Sequence, residues 1–188
     1  MAIHFIDTET TGLDASVHEI IEIAIITDYG DGRVNRWSTR IKPSRIEDAQ
    51  PRALELNGYA YKSHLWDDAP SFEEVYEDHL WNKWEKGDLV VGHNVAFDAE
   101  FYREECKRID APFSNFPWTK IDTVTLVHEH LTPMGLRSHS LDSIRTFLHW
   151  SSTGAHTALK DAEDCRRLYW CLLRRQHDNT ITKGEKSE

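Results

Sequence analysis

Two acidic residues follow directly on an apolar stretch near the start of the chain. Ile3, Phe5 and Ile6 predict a buried strand, and Asp7 and Glu9 come next, two residues apart. Because side chains at i and i+2 of a strand point to the same face, the two carboxylates should converge. Paired carboxylates raise each other's pKa unless a cation lies between them, and such hard oxygen ligands suit Mg²⁺ or Mn²⁺. A strand that merely ends in polar turn residues is the alternative interpretation.

Two further segments place acids at predicted helix starts. Asp98 closes the segment 93–98, and Asp161 closes the segment 156–161, which opens with His156. An imidazole ordinarily titrates near neutrality and can accept a proton during catalysis. Each acid could equally be a generic partner for the positive end of a helix dipole, and a loop histidine could simply be solvated.

These residues occupy the places where sites form in α/β sheets, at strand carboxyl ends and helix starts. Four acids and a histidine from separate parts of the chain would make an oxygen-rich site for two divalent ions. Such ion pairs, about 4 Å apart, suit in-line displacement at phosphorus.

The elements that must position this site are predicted from hydrophobic periodicity and turn residues. Strands are predicted over the opening stretch and over 19–27, 34–41, 89–92 and 118–121. Helices are predicted over 47–56, 71–84, 94–108, 123–131, from 140 onward and over 158–176. Asn94 is predicted to cap its helix, and the tail from Asp178 lacks periodicity and should fray. A meander followed by alternating helices and strands indicates a mixed α/β sheet.

Composition narrows the class of protein. The chain has 188 residues, of which 39% are hydrophobic, which indicates one globular domain. No apolar run is long enough to span a membrane and no signal peptide is visible, so a cytoplasmic protein without a membrane partner is expected. Three cysteines without a Cys-x-x-Cys pair predict reduced thiols and no zinc site. The net charge of −10 argues against passive binding of nucleic acid over the whole surface, but not against a nucleic-acid enzyme with bound cations.

Three ordered motifs resemble those of the DnaQ-like, or DEDDh, 3′–5′ exonucleases. The segment 7–13 reads Asp-Thr-Glu-Thr-Thr-Gly-Leu, 93–98 reads His-Asn-Val-Ala-Phe-Asp, and 156–161 reads His-Thr-Ala-Leu-Lys-Asp. The resemblance extends over roughly residues 3 to 172. It implies an RNase H-like fold with a five-stranded mixed sheet flanked by helices. An exonuclease domain is therefore expected over residues 1–176, with a flexible tail at 177–188.

The resemblance also implies a role for each acid and for the histidine. Asp7 would bridge two Mg²⁺ ions, for which Mn²⁺ should substitute. Glu9 and Asp161 would hold the ion that binds the attacking water, and Asp98 would orient the second ion. His156 would take the proton from that water.

The residues that would contact the substrate are assigned mainly from their positions in and near the motifs. They are Thr10, Thr11, Gly12, Leu13, Asn57, Asn94 and Phe97. The backbone amides of 10–12 would reach the terminal nucleotide, and Leu13 is either a wedge against the last bases or a core leucine. Phe97 is either a stacking surface or, from its helical spacing, a core residue. Asn57 stands where the family often has histidine, and Arg52 stands where some proofreading members have glutamate, so the grip on the 3′ end should differ.

The predicted reaction is hydrolysis of the last phosphodiester of single-stranded or frayed DNA 3′ ends, which releases nucleoside 5′-monophosphates. A 3′–5′ exoribonuclease and a non-catalytic nucleic-acid-binding accessory subunit remain as alternatives. Any polymerase partner is expected to be a separate chain. The choice among proofreading, repair and degradation stays open, as does the oligomeric state.

Overall fold

A computed structural model describes residues 1–113, 116–117 and 119–184, with the backbone alone for 175–184. Its sheet has five strands in the order β3-β2-β1-β4-β5. They are β1 (Ile3–Thr10), β2 (Ile20–Asp28), β3 (Val34–Arg40), β4 (Leu89–Gly92) and β5 (Lys120–Asp122). The first three strands are antiparallel, while β4 runs parallel to β1 and β5 parallel to β4. The predicted mixed five-stranded sheet is therefore confirmed.

Seven α-helices flank this sheet in the described part of the chain. They are α1 (Pro51–Leu56), α2 (Tyr59–Lys62), α3 (Phe72–Val75), α4 (Val95–Arg108), α5 (Thr123–His130), α6 (Leu141–Phe147) and α7 (Ala158–Gly184). Short 3₁₀ turns lie at Ile46–Asp48, Ser63–Trp66 and Thr132–Met134, and a π-helical turn lies at Tyr76–Leu80. None of the described helices is long and apolar enough to cross a membrane.

Three predicted helices have different bounds in the structure. The helix predicted over 47–56 is divided, because Pro51 lacks an N–H and occupies the first position of α1. The helix predicted over 71–84 opens with the expected capping box at Ser71 but ends in the π-helical turn at Leu80. The last helix continues to Gly184 instead of ending at Gln176. In the predicted strand 118–121, Trp118 lies outside the described residues.

Alternation along β1 explains how the sheet is covered on both faces. Ile6 packs in a core with residues of α3 and α4, whereas Phe5 packs in a second core with residues of α7. Strand β2 is buried along its whole length, since helices cover both of its faces. By the same two-residue period, Asp7 and Glu9 belong to the face of Phe5, on which α7 lies.

Candidate active site

The carboxylates of Asp7, Glu9 and Asp161 form one group, called here the acidic cluster. Each offers an oxygen, and the three oxygens lie within 4.8 Å of one another. Asp7 and Glu9 come from the last part of β1, and Asp161 from the first turn of α7. Asp161 is buried, while Asp7 and Glu9 are partly exposed, so the cluster opens to solvent. The predicted convergence of these three acids is therefore present.

Two structural features, a strand pairing and a hydrogen bond, bring these residues together. Strand β1 pairs with β4 only over residues 3–5, so its acidic end extends past the end of β4. On the other side, Glu22 of β2 lies opposite Glu9, and its Oε1 accepts the backbone N–H of Ala158 at 3.1 Å. Because Ala158 is the first residue of α7, this bond ties the start of the helix to the sheet beside the cluster.

Electrostatics make the acidic cluster a site for cations. Burial, followed by the neighbouring carboxylates, raises the pKa of Asp7 well above its usual value and that of Glu9 to about 8. Burial also raises the pKa of Asp161, against the opposing effect of a nearby arginine. No ion pair joins Asp7 or Glu9 to a lysine or arginine among the residues described. Hard oxygen donors with unbalanced negative charge fit a divalent ion such as Mg²⁺.

Asp98 lies beside the acidic cluster but is not one of its three members. It is buried, 3% exposed, in the first turn of α4, and its Oδ1 accepts the Thr8 hydroxyl at 2.7 Å. Thr8 belongs to the sheet face that α4 covers, opposite to that of the cluster. Burial raises the pKa of Asp98 to about 7, and its charge in turn raises the pKa of Asp7. The four predicted acids thus share one edge of the sheet.

Asn94 precedes α4 without capping it, which corrects the predicted role of its side chain. The residue is left-handed (φ 70°), its side chain makes no capping hydrogen bond, and it is exposed. Its backbone N–H donates to Asp122 Oδ1 at 2.9 Å, and the same oxygen accepts the N–H of Val124 at the start of α5. Asp122, at the end of β5, therefore holds the starts of both helices at the edge of the site.

His156 lies at the rim of the site. Its backbone is left-handed (φ 62°), and its N–H donates to Asp161 Oδ1 at 3.3 Å. The imidazole is 38% exposed, with Nε2 3.3 Å from Asp142 Oδ2. The predicted proton acceptor is thus close to the cluster, accessible to solvent, and faced by an acid that the sequence did not single out for this role.

Arg145 is the residue at this site that sequence reasoning missed. Its side chain is 1% exposed and pairs with Asp142, Asp161 and Asp164. One feature of the sequence could have pointed to it. Arg145 directly follows Ile144, which lies on the apolar face of α6, and comes three residues after Asp142. A charged residue at the edge of an inward-facing stripe requires buried partners, and two of the three come from α7.

The segment that follows β1 is less available to a nucleotide than expected. Thr11 is fully buried, its N–H donates to Glu19 O at 2.9 Å, and its hydroxyl accepts the Glu19 N–H. The prediction that this amide contacts substrate is therefore wrong. The Thr10 hydroxyl donates to Gly12 O at 2.7 Å, which closes the turn. Leu13 is 75% exposed, which excludes the core-leucine interpretation.

Two other predicted substrate positions, Asn57 and Phe97, have partners within the protein, and so does Arg52. Asn57 donates from Nδ2 to Thr10 O at 3.0 Å, and its Oδ1 accepts the Tyr59 N–H, so it braces the turn. Phe97 packs on Phe101 with ring centroids 4.6 Å apart and is partly buried, as its core interpretation required. Arg52 is exposed and pairs with Glu55 on the same helix.

The strand order and the helices on both faces of the sheet define an RNase H-like fold. Over 97% of this chain and 42% of the other, the structure superimposes on E. coli exonuclease I in its zinc-bound complex with single-stranded DNA, with a TM-score of 0.77 and 18% identity. The sequence pattern of the RNase T exonuclease family matches residues 4–169. The chain therefore belongs to this DnaQ-like exonuclease family.

Two curated relatives are similar over most of the chain. The PolC-type DNA polymerase III of Oceanobacillus iheyensis is 31% identical over 94% of this chain, which spans only 12% of the PolC-type protein. The DNA polymerase III subunit epsilon of Treponema pallidum is 31% identical over 89% of this chain and 74% of its own length.

Proposed function

We propose that the chain hydrolyses the last phosphodiester at DNA 3′ ends in a reaction that requires divalent metal ions, and that it releases nucleoside 5′-monophosphates. The observation that carries this proposal is the acidic cluster. Three carboxylates converge at the open edge of an RNase H-like sheet, and two of them lack a cationic partner in the described part of the chain. In a member of an exonuclease family, the reaction that such a site supports is phosphodiester hydrolysis.

Asp7, Glu9 and Asp161 would hold two Mg²⁺ ions, with Asp98 beside them, and Mn²⁺ should substitute because it favours the same oxygen ligands. When bound, the ions would activate water and stabilise the charge that develops during in-line displacement. The opening of the cluster to solvent leaves room for the terminal phosphate.

His156 would accept the proton of the attacking water. Since its Nε2 faces Asp142 Oδ2, the acid favours the tautomer that carries hydrogen on Nε2. Nδ1 then keeps the lone pair and acts as the base. The exposure of the ring lets water reach it.

DNA is proposed as the substrate because the similar chains are named as parts of DNA polymerase III and the superimposed exonuclease I holds single-stranded DNA. The exposed Leu13 would contact the last bases, and the remaining backbone amides of the turn at 10–12 would contact the terminal nucleotide. We extend the proposal to an exonuclease domain over 1–176 that cooperates with a DNA polymerase.

A 5′-labelled single-stranded oligonucleotide tests the proposal. Incubation with Mg²⁺ should produce a ladder that shortens from the 3′ end, and EDTA should abolish it. Asp7→Asn should be inactive, whereas the exposed loop variant Asp31→Asn should match the wild type. A sequence-matched RNA oligonucleotide should be degraded more slowly.

Two outcomes would overturn the proposal in different ways. Faster degradation of RNA would favour the exoribonuclease. An intact but gel-shifted oligonucleotide, with Mg²⁺ present, would favour the non-catalytic binding subunit.

A further inference from the structure

Arg145 joins three aspartates from two helices at the margin of the acidic cluster. Nη2 donates to Asp161 Oδ1 at 2.5 Å, Nε donates to Asp164 Oδ2 at 2.8 Å, and Nη1 donates to Asp142 Oδ1 at 2.9 Å. Each of the three nitrogens of the guanidinium therefore serves a different carboxylate. This use depends on a rigid planar fork, which lysine cannot reproduce.

The three aspartates differ in what lies beyond them. Asp161 continues into the acidic cluster. Asp142 continues to the imidazole of His156, 3.3 Å away. Asp164 leads away from the chemistry, because both of its oxygens also accept from Lys160. Two of the three contacts thus end on groups to which the proposed function gives a chemical role.

We propose that Arg145 is a positioning residue, which aims the Asp161 carboxylate at the acidic cluster and holds Asp142 against His156. The inference rests on the proposed function. Within that site, Arg145 would fix the position of the metal ligand Asp161 relative to the base His156.

The hydrogen bonds of Asp161 support this assignment. Its Oδ1 accepts both from Arg145 Nη2 and from the backbone N–H of His156. Among the described residues no donor reaches Oδ2, which leaves that oxygen available to an ion. Two donors on one oxygen already restrict the rotation of the carboxylate. Less conformational entropy is therefore lost when an ion binds. Partners of this kind outside the ligand set are typically worth about 10- to 100-fold in metal affinity or activity.

The competing explanation is that Arg145 only ties α6 to α7. Arg166 is a suitable control, since it ties α7 to the sheet through Asp28 at 3.0 Å and contacts no member of the site. Three variants are compared with the wild type: Arg145→Lys, Asp142→Asn and Arg166→Gln. Mn²⁺ affinity is measured by calorimetry on the metal-free protein without DNA, and kcat and KM are measured on a single-stranded DNA oligonucleotide.

Arg145→Lys should weaken Mn²⁺ binding and lower kcat, each by about 10- to 100-fold, with little change in KM. Asp142→Asn should lower kcat while Mn²⁺ affinity stays at the wild-type value. The amide oxygen can still accept from Arg145 Nη1, whereas the oxygen that faces His156 Nε2 is replaced by an N–H donor. Arg166→Gln should lower the melting temperature and leave both other quantities unchanged.

The inference is overturned if Arg145→Lys keeps wild-type Mn²⁺ affinity and kcat and resembles Arg166→Gln in losing only stability. Should Arg145→Lys not fold, an unchanged kcat in Asp142→Asn overturns the contact to His156 on its own. A wild type that binds no Mn²⁺ and degrades no DNA contradicts the proposed function instead, so the two failures are distinguishable.

Discussion

At the scale of single residues, the site brings together buried carboxylates that repel one another. Burial and mutual repulsion raise the pKa values of Asp7 and Glu9, yet neither is paired with a lysine or arginine in the described part of the chain. Carboxylates arranged in this way lower the stability of a metal-free protein at neutral pH and gain most from a bound cation. His156 has a different task, since it lies at the rim and its hydrogen bond to Asp161 comes from its backbone N–H.

His156→Ala should separate the two tasks. Loss of the general base should lower kcat by about 10²- to 10⁴-fold, because a positioned base typically contributes that much. Mn²⁺ affinity should be retained, since among the residues that the structure describes no hydrogen bond or ion pair joins the imidazole to the acidic cluster. Steady-state kinetics and calorimetry check this result, with Asp7→Asn as the comparison that loses both. A His156→Ala enzyme with wild-type kcat would exclude the residue as the base.

Leu13→Ala tests the contact with the last bases. The side chain is 75% exposed, so its truncation should leave the melting temperature unchanged. If it packs on substrate, about 1–2 kcal/mol of apolar contact is lost, which raises KM for single-stranded DNA roughly 5- to 30-fold. Leu65→Ala, at a leucine that is 40% exposed on the 3₁₀ turn Ser63–Trp66, is the control. Equal KM values in the two variants would remove Leu13 from the substrate site.

At the scale of elements, the loop between β1 and β2 holds the active edge in place. It is folded tightly around Gly12, where an added Cβ would lie 2.3 Å from the ring of His18. That ring is fixed in turn by the backbone N–H of Asp14, which donates to His18 Nδ1 at 3.0 Å. The fold of the loop after β1 therefore depends on the close approach of His18 to Gly12, which only glycine allows.

Gly12→Ala should therefore destabilise the protein by about 1–3 kcal/mol, as overpacking commonly does. The clash is removed when His18 is also replaced by alanine, so the double variant should lose less stability than the sum of the single variants. Chemical denaturation of the four proteins measures this coupling. Strict additivity would show that Gly12 and His18 do not meet as the structure places them.

Helix starts at the site depend on contacts that no local pattern predicts. The end of β1 and its two acids were predicted from alternation and spacing, and the capping box at Ser71 from its four-residue signature. By contrast, the start of α4 is held by Asp122 of β5 and the start of α7 by Glu22 of β2. Because these partners lie 28 and 136 residues away in the chain, only the assembled sheet reveals them. Arg145 stood out locally, but its buried partners Asp161 and Asp164 lie 16 and 19 residues away on α7, so the sequence alone did not assign it to the site.

The last helix shows a limit of a different kind. Its predicted end at Gln176 relied on the loss of apolar periodicity, which marks where a helix stops packing on the core. The backbone remains helical to Gly184. Periodicity therefore predicted the start of α7 but not the end of its backbone. The flexibility of the tail at 177–188 stays a prediction.

At the scale of the whole molecule, the acidic site couples pH, metal binding and stability. The pKa of Glu9 is raised from 4.5 to about 8, so the folded chain binds a proton that the unfolded chain has already released. The contribution of Glu9 to the free energy of unfolding is fully present below the pKa of Glu9 in the unfolded chain. It is lost as the pH rises through the pKa of Glu9 in the folded chain. Burial lowers the pKa values of His4 and His93 below 6.5, so the ionisation of these two groups changes the stability only below about pH 6.5.

The melting temperature of the metal-free protein should therefore fall as the pH is raised from 6.5 to above 8. Glu9→Gln should flatten this fall, because the substituted side chain cannot ionise. Added Mg²⁺ should raise the melting temperature, and by more at the upper end of the range, since the ions and protons compete for the same oxygens. Scanning calorimetry with and without EDTA provides the measurement. Parallel profiles for the wild type and Glu9→Gln would contradict this account of Glu9.

The central claim is that carboxylates from two distant parts of the chain share bound cations, and crystals soaked in Mn²⁺ test it most directly. Anomalous difference density should lie among Asp7, Glu9 and Asp161, and should be lost in Asp7→Asn. Density confined to other surfaces, or a cluster that stays without Mn²⁺ while the protein degrades DNA, would contradict the claim.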